Sequence, residues 1–122
     1  MTRRTERLGG LFRSELAELI HDELRDPRIT GLISITQVEV SPDLENATVH
    51  VSVMGDAEEQ KASLAALTHA APWLRRELLH RVHIRKVPAL EFALDRSIEE
   101  GARMLDLMRQ VAAERDKHGS GE

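Results

Sequence analysis

The chain has 122 residues, a formal net charge of −4 and no cysteine. This length fits one domain with a single core, and the lack of cysteine excludes disulfide bonds and thiolate zinc sites. No apolar run approaches the roughly twenty residues that span a bilayer, and no apolar segment typical of a secretory signal follows Arg3, Arg4 and Arg7. We therefore expect a cytoplasmic protein.

The first predicted elements are an amphipathic helix and a hairpin of two strands. Apolar residues recur at helical spacing from Leu8 to Leu24, and the helix ends before Asp26-Pro27. Apolar alternation over residues 33–40 changes phase midway, which predicts a strand with a bulge near Thr36-Gln37. Strict alternation over residues 47–53 predicts the second strand of the hairpin.

Two helices joined by a sharp break are predicted next. Asp56 and Glu59 form a capping box for a helix that runs to Ala70-Ala71-Pro72. Proline fits the first position of a helix but not its interior, so we expect a new helix to begin at Pro72 and to continue to about Val82.

A third strand follows Pro88, and Ser97 with Glu100 predicts the cap of a final helix. From Glu114 the chain is polar, so we expect residues 1–113 to form the domain and residues 114–122 a disordered tail. The order α-β-β-α-α-β-α predicts an α+β domain, in which helices cover one face of a three-stranded sheet.

The break at residues 70–72 is the main candidate site. A helix that begins at Pro72 presents free N–H groups, which favour a phosphate oxygen, and Arg75 and Arg76 lie in its first turn. Basic residues also concentrate after this turn and near the N-terminus of an otherwise acidic chain, a distribution that suits docking on RNA. The alternative is a plain helix–helix corner with solvated charges. The predicted RNA-binding residues are Ala70, Ala71, Pro72, Arg75, Arg76, Arg81, Arg85 and Lys86, with Arg3, Arg4 and Arg7 as a second group.

Catalytic and metal chemistry are not predicted. His80 and His83 have helical spacing for a metal, but no further Cys or His nearby completes a ligand set. Glu91 and Asp95 would suit a magnesium nuclease, yet their predicted places are a strand exterior and a loop. Because no nucleophile motif or Gly-rich phosphate loop is present, we expect no enzyme, no metal and no cofactor.

Three stretches of the sequence are typical of one protein family. They are Arg25-Asp26-Pro27-Arg28; Val38-Glu39-Val40-Ser41-Pro42-Asp43-Leu44 with Ala47, Val49, Val51, Ser52 and Val53; and Leu90-Glu91-Phe92 with Asp95, Ser97, Ile98, Glu99 and Gly101. From Arg7 to about Leu107 the chain resembles the bacterial ribosome-binding factor A family. Where that family carries an Ala-x-Gly interruption between two helices, this sequence has Pro72 in place of the glycine.

The resemblance implies a type II KH-like fold and binding to the free 30S small ribosomal subunit. It also implies a role in late maturation and 5′-end processing of 16S rRNA, without catalytic activity. We expect a monomer whose partners are 16S rRNA and neighbouring ribosomal proteins, with no membrane and no small-molecule substrate. Two alternatives remain open: a protein–protein adaptor that acts through the acidic face, and a metal-dependent RNA nuclease.

Overall fold

The computed structural model describes residues 2–29 and 32–119 and has an α+β fold, as the sequence predicts. A three-stranded sheet has the order β1-β2-β3, with β1 antiparallel and β3 parallel to the central strand. The elements are α1 (Arg3–Glu18), which continues as a π-helical turn (Leu19–Glu23), β1 (Ile33–Val40), β2 (Asn46–Val53), α2 (Ala57–Arg81), β3 (Ala89–Leu94) and α3 (Ser97–Gly119).

The core lies between one face of this sheet and helices α1 and α2. Strand β2 alternates as predicted, with its four apolar side chains at residues 47, 49, 51 and 53 all buried. The predicted bulge is also confirmed, because the pairing passes from Ile35 opposite Val51 to Gln37 opposite His50. Thr36 is the extra residue, and this insertion lets β1 change the face on which its apolar residues lie.

Helix α2 is continuous through Pro72, so the predicted break at residues 70–72 was wrong. The apolar residues stay in helical phase on both sides of the proline, and Leu67, Leu74 and Leu78 are fully buried. A proline inside a helix costs about 3 kcal/mol, whereas burial of one leucine stabilises by about 1.5–3 kcal/mol. Burial of Leu74 and Leu78 therefore offsets the proline, and the order of elements is α-β-β-α-β-α.

Helix α3 differs from its prediction at both ends. Ser97 is its first residue rather than its cap, and the Ser97 N–H donates to Asp95 Oδ1 at 2.9 Å. The helix extends to Gly119 instead of giving way to a tail at residue 114, because residues such as Ala112 and Glu114 favour helix. The remaining residues of the predicted tail, 120–122, lie outside the described residues.

The surface of α3 also departs from the predicted packing of the helices on the sheet. Every described side chain from Ser97 to Arg115 is exposed, so only α1 and α2 cover the sheet. None of the helices in the described part of the chain is long and apolar enough to cross a membrane. The exposed apolar side chains of α3 are Ile98, Met104, Leu105, Leu107, Met108 and Val111.

Candidate RNA-binding surface

The first turns of α1 carry the N-terminal arginines on a capped helix. Thr2 Oγ1 accepts a hydrogen bond from the Thr5 N–H at 3.3 Å, which satisfies one of the free amides of the helix start. Arg3 and Arg7 are four residues apart and therefore share one side of the helix. Together with Arg4, these side chains are exposed to solvent.

The segment between α2 and β3 presents the second basic group. Val82, Val87 and Pro88 are buried and hold this segment against the core. Arg75 Nε donates to the Val87 carbonyl oxygen at 2.8 Å, so Arg75 anchors the segment to α2. Arg85 and Lys86 between these anchors are exposed.

The structure brings the two basic groups together around a single cleft of about 880 Å³. We call it the basic cleft. Its basic lining is Arg3, Arg4, Arg7, Arg85 and Lys86; its apolar lining is Leu8, Phe12, Leu44, Ile84 and Pro88; and Asp43 and Glu45 complete it.

A smaller cavity of about 260 Å³ extends this surface along α2. Arg75 and Arg76 line it together with Arg85 and Lys86, which also line the basic cleft. Within the described part of the chain, Arg76 and Arg85 make no hydrogen bond or ion pair with protein groups. Their guanidinium groups are therefore available to an external anion.

The turn between β1 and β2 supplies the two acidic residues of the cleft. Lys86 Nζ lies 2.6 Å from Glu45 Oε2, so this pair is locally neutral. Asp43 Oδ1 accepts from Ser41 Oγ at 2.6 Å and from the Glu45 N–H at 3.0 Å. The bond from the Ser41 hydroxyl, followed by that from the Glu45 amide, lowers the pKa of Asp43 and keeps its carboxylate ionised at neutral pH. With five basic and two acidic residues, the cleft is positive overall.

Arg81 does not reach the basic cleft. Its guanidinium lies 3.3 Å from Glu15, 3.1 Å from Glu18 and 3.4 Å from Glu23. The hydrogen bond to Glu15 is the main cause of the raised pKa of Arg81, and the neighbouring carboxylates add to it. Arg81 thus joins α2 to α1 and to the π-helical turn, and the acidic side chains of this face are engaged with it.

Ala70, Ala71 and Pro72 do not form the anion site that the sequence predicts. They lie in the middle of α2, where the amides of residues 70 and 71 belong to the hydrogen-bond ladder of the helix and Pro72 has no N–H. Free amides occur only at helix starts. A phosphate-binding helix terminus at this position is therefore absent.

Asp95, considered for nuclease chemistry, has a structural position. Its Oδ2 accepts from Thr36 Oγ1 at 2.6 Å, and its Oδ1 accepts the Ser97 N–H. These hydrogen bonds, that from Thr36 first, lower the pKa of Asp95 to about 2. Over residues 2–29 and 32–119, no group of three or more His, Asp or Glu side chains is arranged to hold a metal ion.

Comparison with known proteins identifies the family. The family model described as ribosome-binding factor A matches residues 4–108. Ribosome-binding factor A of Thermomicrobium roseum is 46% identical over 117 residues, which cover 96% of this chain and 90% of that protein. The chain belongs to the ribosome-binding factor A family.

Solved structures of ribosome-binding factor A share the fold. The crystal structure from Thermus thermophilus is 31% identical, with a TM-score of 0.68 over 76% of this chain and 97% of that one. A homology model of the Thermus thermophilus factor, fitted into the cryo-EM map of its complex with 30S, is 32% identical, with a TM-score of 0.61 over 72% of this chain and 91% of that one.

In this member of the ribosome-binding factor A family, the sequence did not indicate the apolar and acidic lining of the basic cleft. Leu8 reads as one more core position of α1, and Asp43 as a turn residue. Ile84 carries the one local signal, because it is an isolated apolar residue in a basic loop and is only half-buried. That the three residues meet depends on contacts between distant parts of the chain.

Proposed function

We propose that this protein is a non-enzymatic RNA-binding assembly factor that binds the free 30S small ribosomal subunit. In this proposal it acts in the cytoplasm as a monomer and assists late maturation and 5′-end processing of 16S rRNA. Family membership supports the class of partner, and so does the related Thermus thermophilus factor that was fitted into the map of a 30S complex.

The observation that carries the proposal is the meeting of Arg3, Arg4 and Arg7 with Arg85 and Lys86 at one cleft. The chain as a whole is acidic, so this concentration of positive charge is local. Arginines in the first turns of a helix also oppose the helix macrodipole, which disfavours cations there by about 0.3–1 kcal/mol each. Helix stability therefore does not explain them, whereas attraction of RNA phosphates does.

The mechanism is occupancy of a region of immature RNA. Guanidinium and ammonium groups bind phosphates without reading base sequence, and they fix the orientation of the protein on the subunit. A bound factor favours the RNA conformation for which it has the higher affinity, and the shift is set by that difference in affinity. Maturation of the RNA would then weaken the contacts and release the factor.

Sedimentation with purified particles tests the partner. We expect the protein to co-sediment with free small subunits and not with large subunits or whole ribosomes. Equal binding to all three particles would count against a factor selective for the small subunit.

Charge reversal tests the surface. We expect the double variant Arg4→Glu/Arg85→Glu to lose small-subunit binding, because two phosphate contacts become repulsive. The salt dependence of binding should also flatten, by about 0.7 in log–log slope per contact for a single strand. The matched control is Lys61→Glu/Arg103→Glu, which reverses two exposed charges outside the cleft and should bind normally. Equal losses in both variants would show that net charge, and not the cleft, governs binding.

A further inference from the structure

We infer that the basic cleft binds one unpaired nucleotide of the RNA, with its base against the apolar lining and its flanking phosphates on the arginines. The inference rests on the proposed function, because it takes RNA as the ligand, and it adds which kind of RNA element is bound. Phosphate contacts alone would need a positive surface and no cavity.

The size and lining of the cleft argue for an inserted group. Its volume of about 880 Å³ lies in the range of clefts that take small organic ligands, roughly 300–1,000 Å³. Such clefts are lined mainly by apolar side chains with a few polar groups, as here. Leu8, Leu44 and Ile84 remain half-buried at the cleft, so a planar base would cover apolar surface that the protein itself leaves open.

The RNA element must be unpaired. A base within a duplex is stacked on both faces and cannot reach a lining below the level of the phosphates, whereas a base in a single strand or bulge can leave the stack. Phe12 is fully buried and offers no ring face. The base would therefore pack against aliphatic side chains and the plane of an arginine such as Arg85.

Asp43 gives the cleft a preference among bases. Its carboxylate is held ionised in the turn, and both of its described hydrogen bonds end on Oδ1, so Oδ2 can accept from a ligand. Exocyclic amino groups donate to a carboxylate, as cytosine N4 does. Uracil presents a carbonyl oxygen at the same position, which the carboxylate would repel. We therefore expect cytosine to bind in preference to uracil.

Short labelled oligomers test base insertion. Fluorescence anisotropy at one fixed salt concentration would compare octacytidylate, octauridylate and an abasic ribose-phosphate octamer, which keeps the phosphates and lacks bases. We expect octacytidylate to bind at least roughly fivefold tighter than the abasic octamer, from burial of apolar surface. It should bind roughly three- to tenfold tighter than octauridylate, from the hydrogen bond to Asp43.

Two variants assign these differences to the cleft. Ile84→Ser should weaken octacytidylate binding and leave the abasic octamer unchanged. Asp43→Asn keeps the size of the side chain and an oxygen that can accept the turn hydrogen bonds, and it should remove the preference for octacytidylate over octauridylate. Unchanged urea unfolding midpoints would confirm that both variants fold, and Asp43→Asn provides the test if Ile84→Ser does not fold.

The outcomes separate this inference from the proposed function. If the abasic octamer binds as tightly as octacytidylate, or if no octamer binds while small subunits still do, base insertion is overturned and the proposed function stands. If small-subunit binding itself is absent in the sedimentation assay, the proposed function fails.

Discussion

Two adjacent glycines in α1 have opposite environments. A Cβ atom at Gly9 would lie 2.4 Å from the Val38 carbonyl oxygen, a distance at which the backbone of β1 must move. A Cβ atom at Gly10 would meet nothing within 4 Å. Gly9 is therefore required for the close approach of α1 to the sheet, whereas Gly10 only lowers the helix propensity of the exposed side.

Alanine at the two positions should change stability in opposite directions. We expect Gly9→Ala to lower the free energy of unfolding by about 1–3 kcal/mol through overpacking against Val38. Gly10→Ala should raise it by about 0.4–1 kcal/mol, because alanine restricts the unfolded chain and favours helix. Urea unfolding followed by circular dichroism measures both, and a neutral Gly9→Ala would mean that α1 lies further from β1 than in the structure.

Asp95 links three parts of the fold through one carboxylate. The bulged Thr36 donates to it across β2 at 2.6 Å, and the first amide of α3 donates to its other oxygen. Both bonds favour the charged form, and so the pKa of Asp95 falls from its usual 3.8 to about 2. A carboxyl group with a lowered pKa contributes stability above its unfolded pKa, and this contribution is lost as the pH falls through the folded value.

The pH dependence of unfolding tests this link. The urea midpoint of the protein should fall between pH of about 4 and about 2, where the unfolded state binds a proton at residue 95 and the folded state does not. In Asp95→Asn we expect a lower midpoint at pH 7 and a shallower fall below pH 4. Some fall should remain, because the pKa of Asp26 is also lowered to about 2, mainly by its hydrogen bond with the Arg28 side chain. Parallel curves for variant and parent would contradict the assignment to Asp95.

Helix α2 shows how burial overrides a local rule. Proline next to two alanines indicates a helix break when only nearby residues are considered. The break did not form, because a kink at residue 72 would move Leu74 and Leu78 out of phase with Leu67, and all three are buried in one core. Pro72 itself is exposed, so its ring meets no packed side of the helix.

Replacement of Pro72 distinguishes a strained continuous helix from a functional break. We expect Pro72→Ala to raise the free energy of unfolding by about 1–3 kcal/mol, because it restores a helix hydrogen bond and relieves the clash with the preceding turn. Small-subunit binding in the sedimentation assay should stay unchanged, since residue 72 does not line the basic cleft. Loss of binding by a variant that is folded and more stable would restore the break as the functional feature.

The sequence predicted those features that depend on neighbouring residues. The alternation of β2, the bulge at Thr36 and the capping box of Asp56 and Glu59 all follow from spacing within a few positions, and all are present. The basic cleft joins the start of α1, the β1–β2 turn and the loop before β3. Spacing along the chain cannot indicate which arginines converge there, or that Arg81 pairs with Glu15 on the neighbouring helix.

The whole molecule consists of a packed body and a helix that projects from it. The first turn of α3 is tied down by Asp95 and by a hydrogen bond of 2.9 Å from Gln60 Nε2 to Glu99 Oε1. Beyond this turn, the described side chains up to Arg115 are exposed and bury nothing in the core. The stability of α3 therefore rests on helix propensity and its attachment at one end, whereas α2 is stabilised by the core.

Native-state hydrogen exchange should show this division directly. We expect the amides of α3 after its first turn to exchange through local fraying, at rates that do not respond to low urea concentrations. Amides of α2 near Leu67 and Leu78 should exchange only through global unfolding, with rates that rise with urea. If α3 is as well protected as α2, its apolar side must be covered in solution. A series of protein concentrations then identifies the cover, because protection from a second copy of the chain decreases on dilution, whereas protection from the same chain does not.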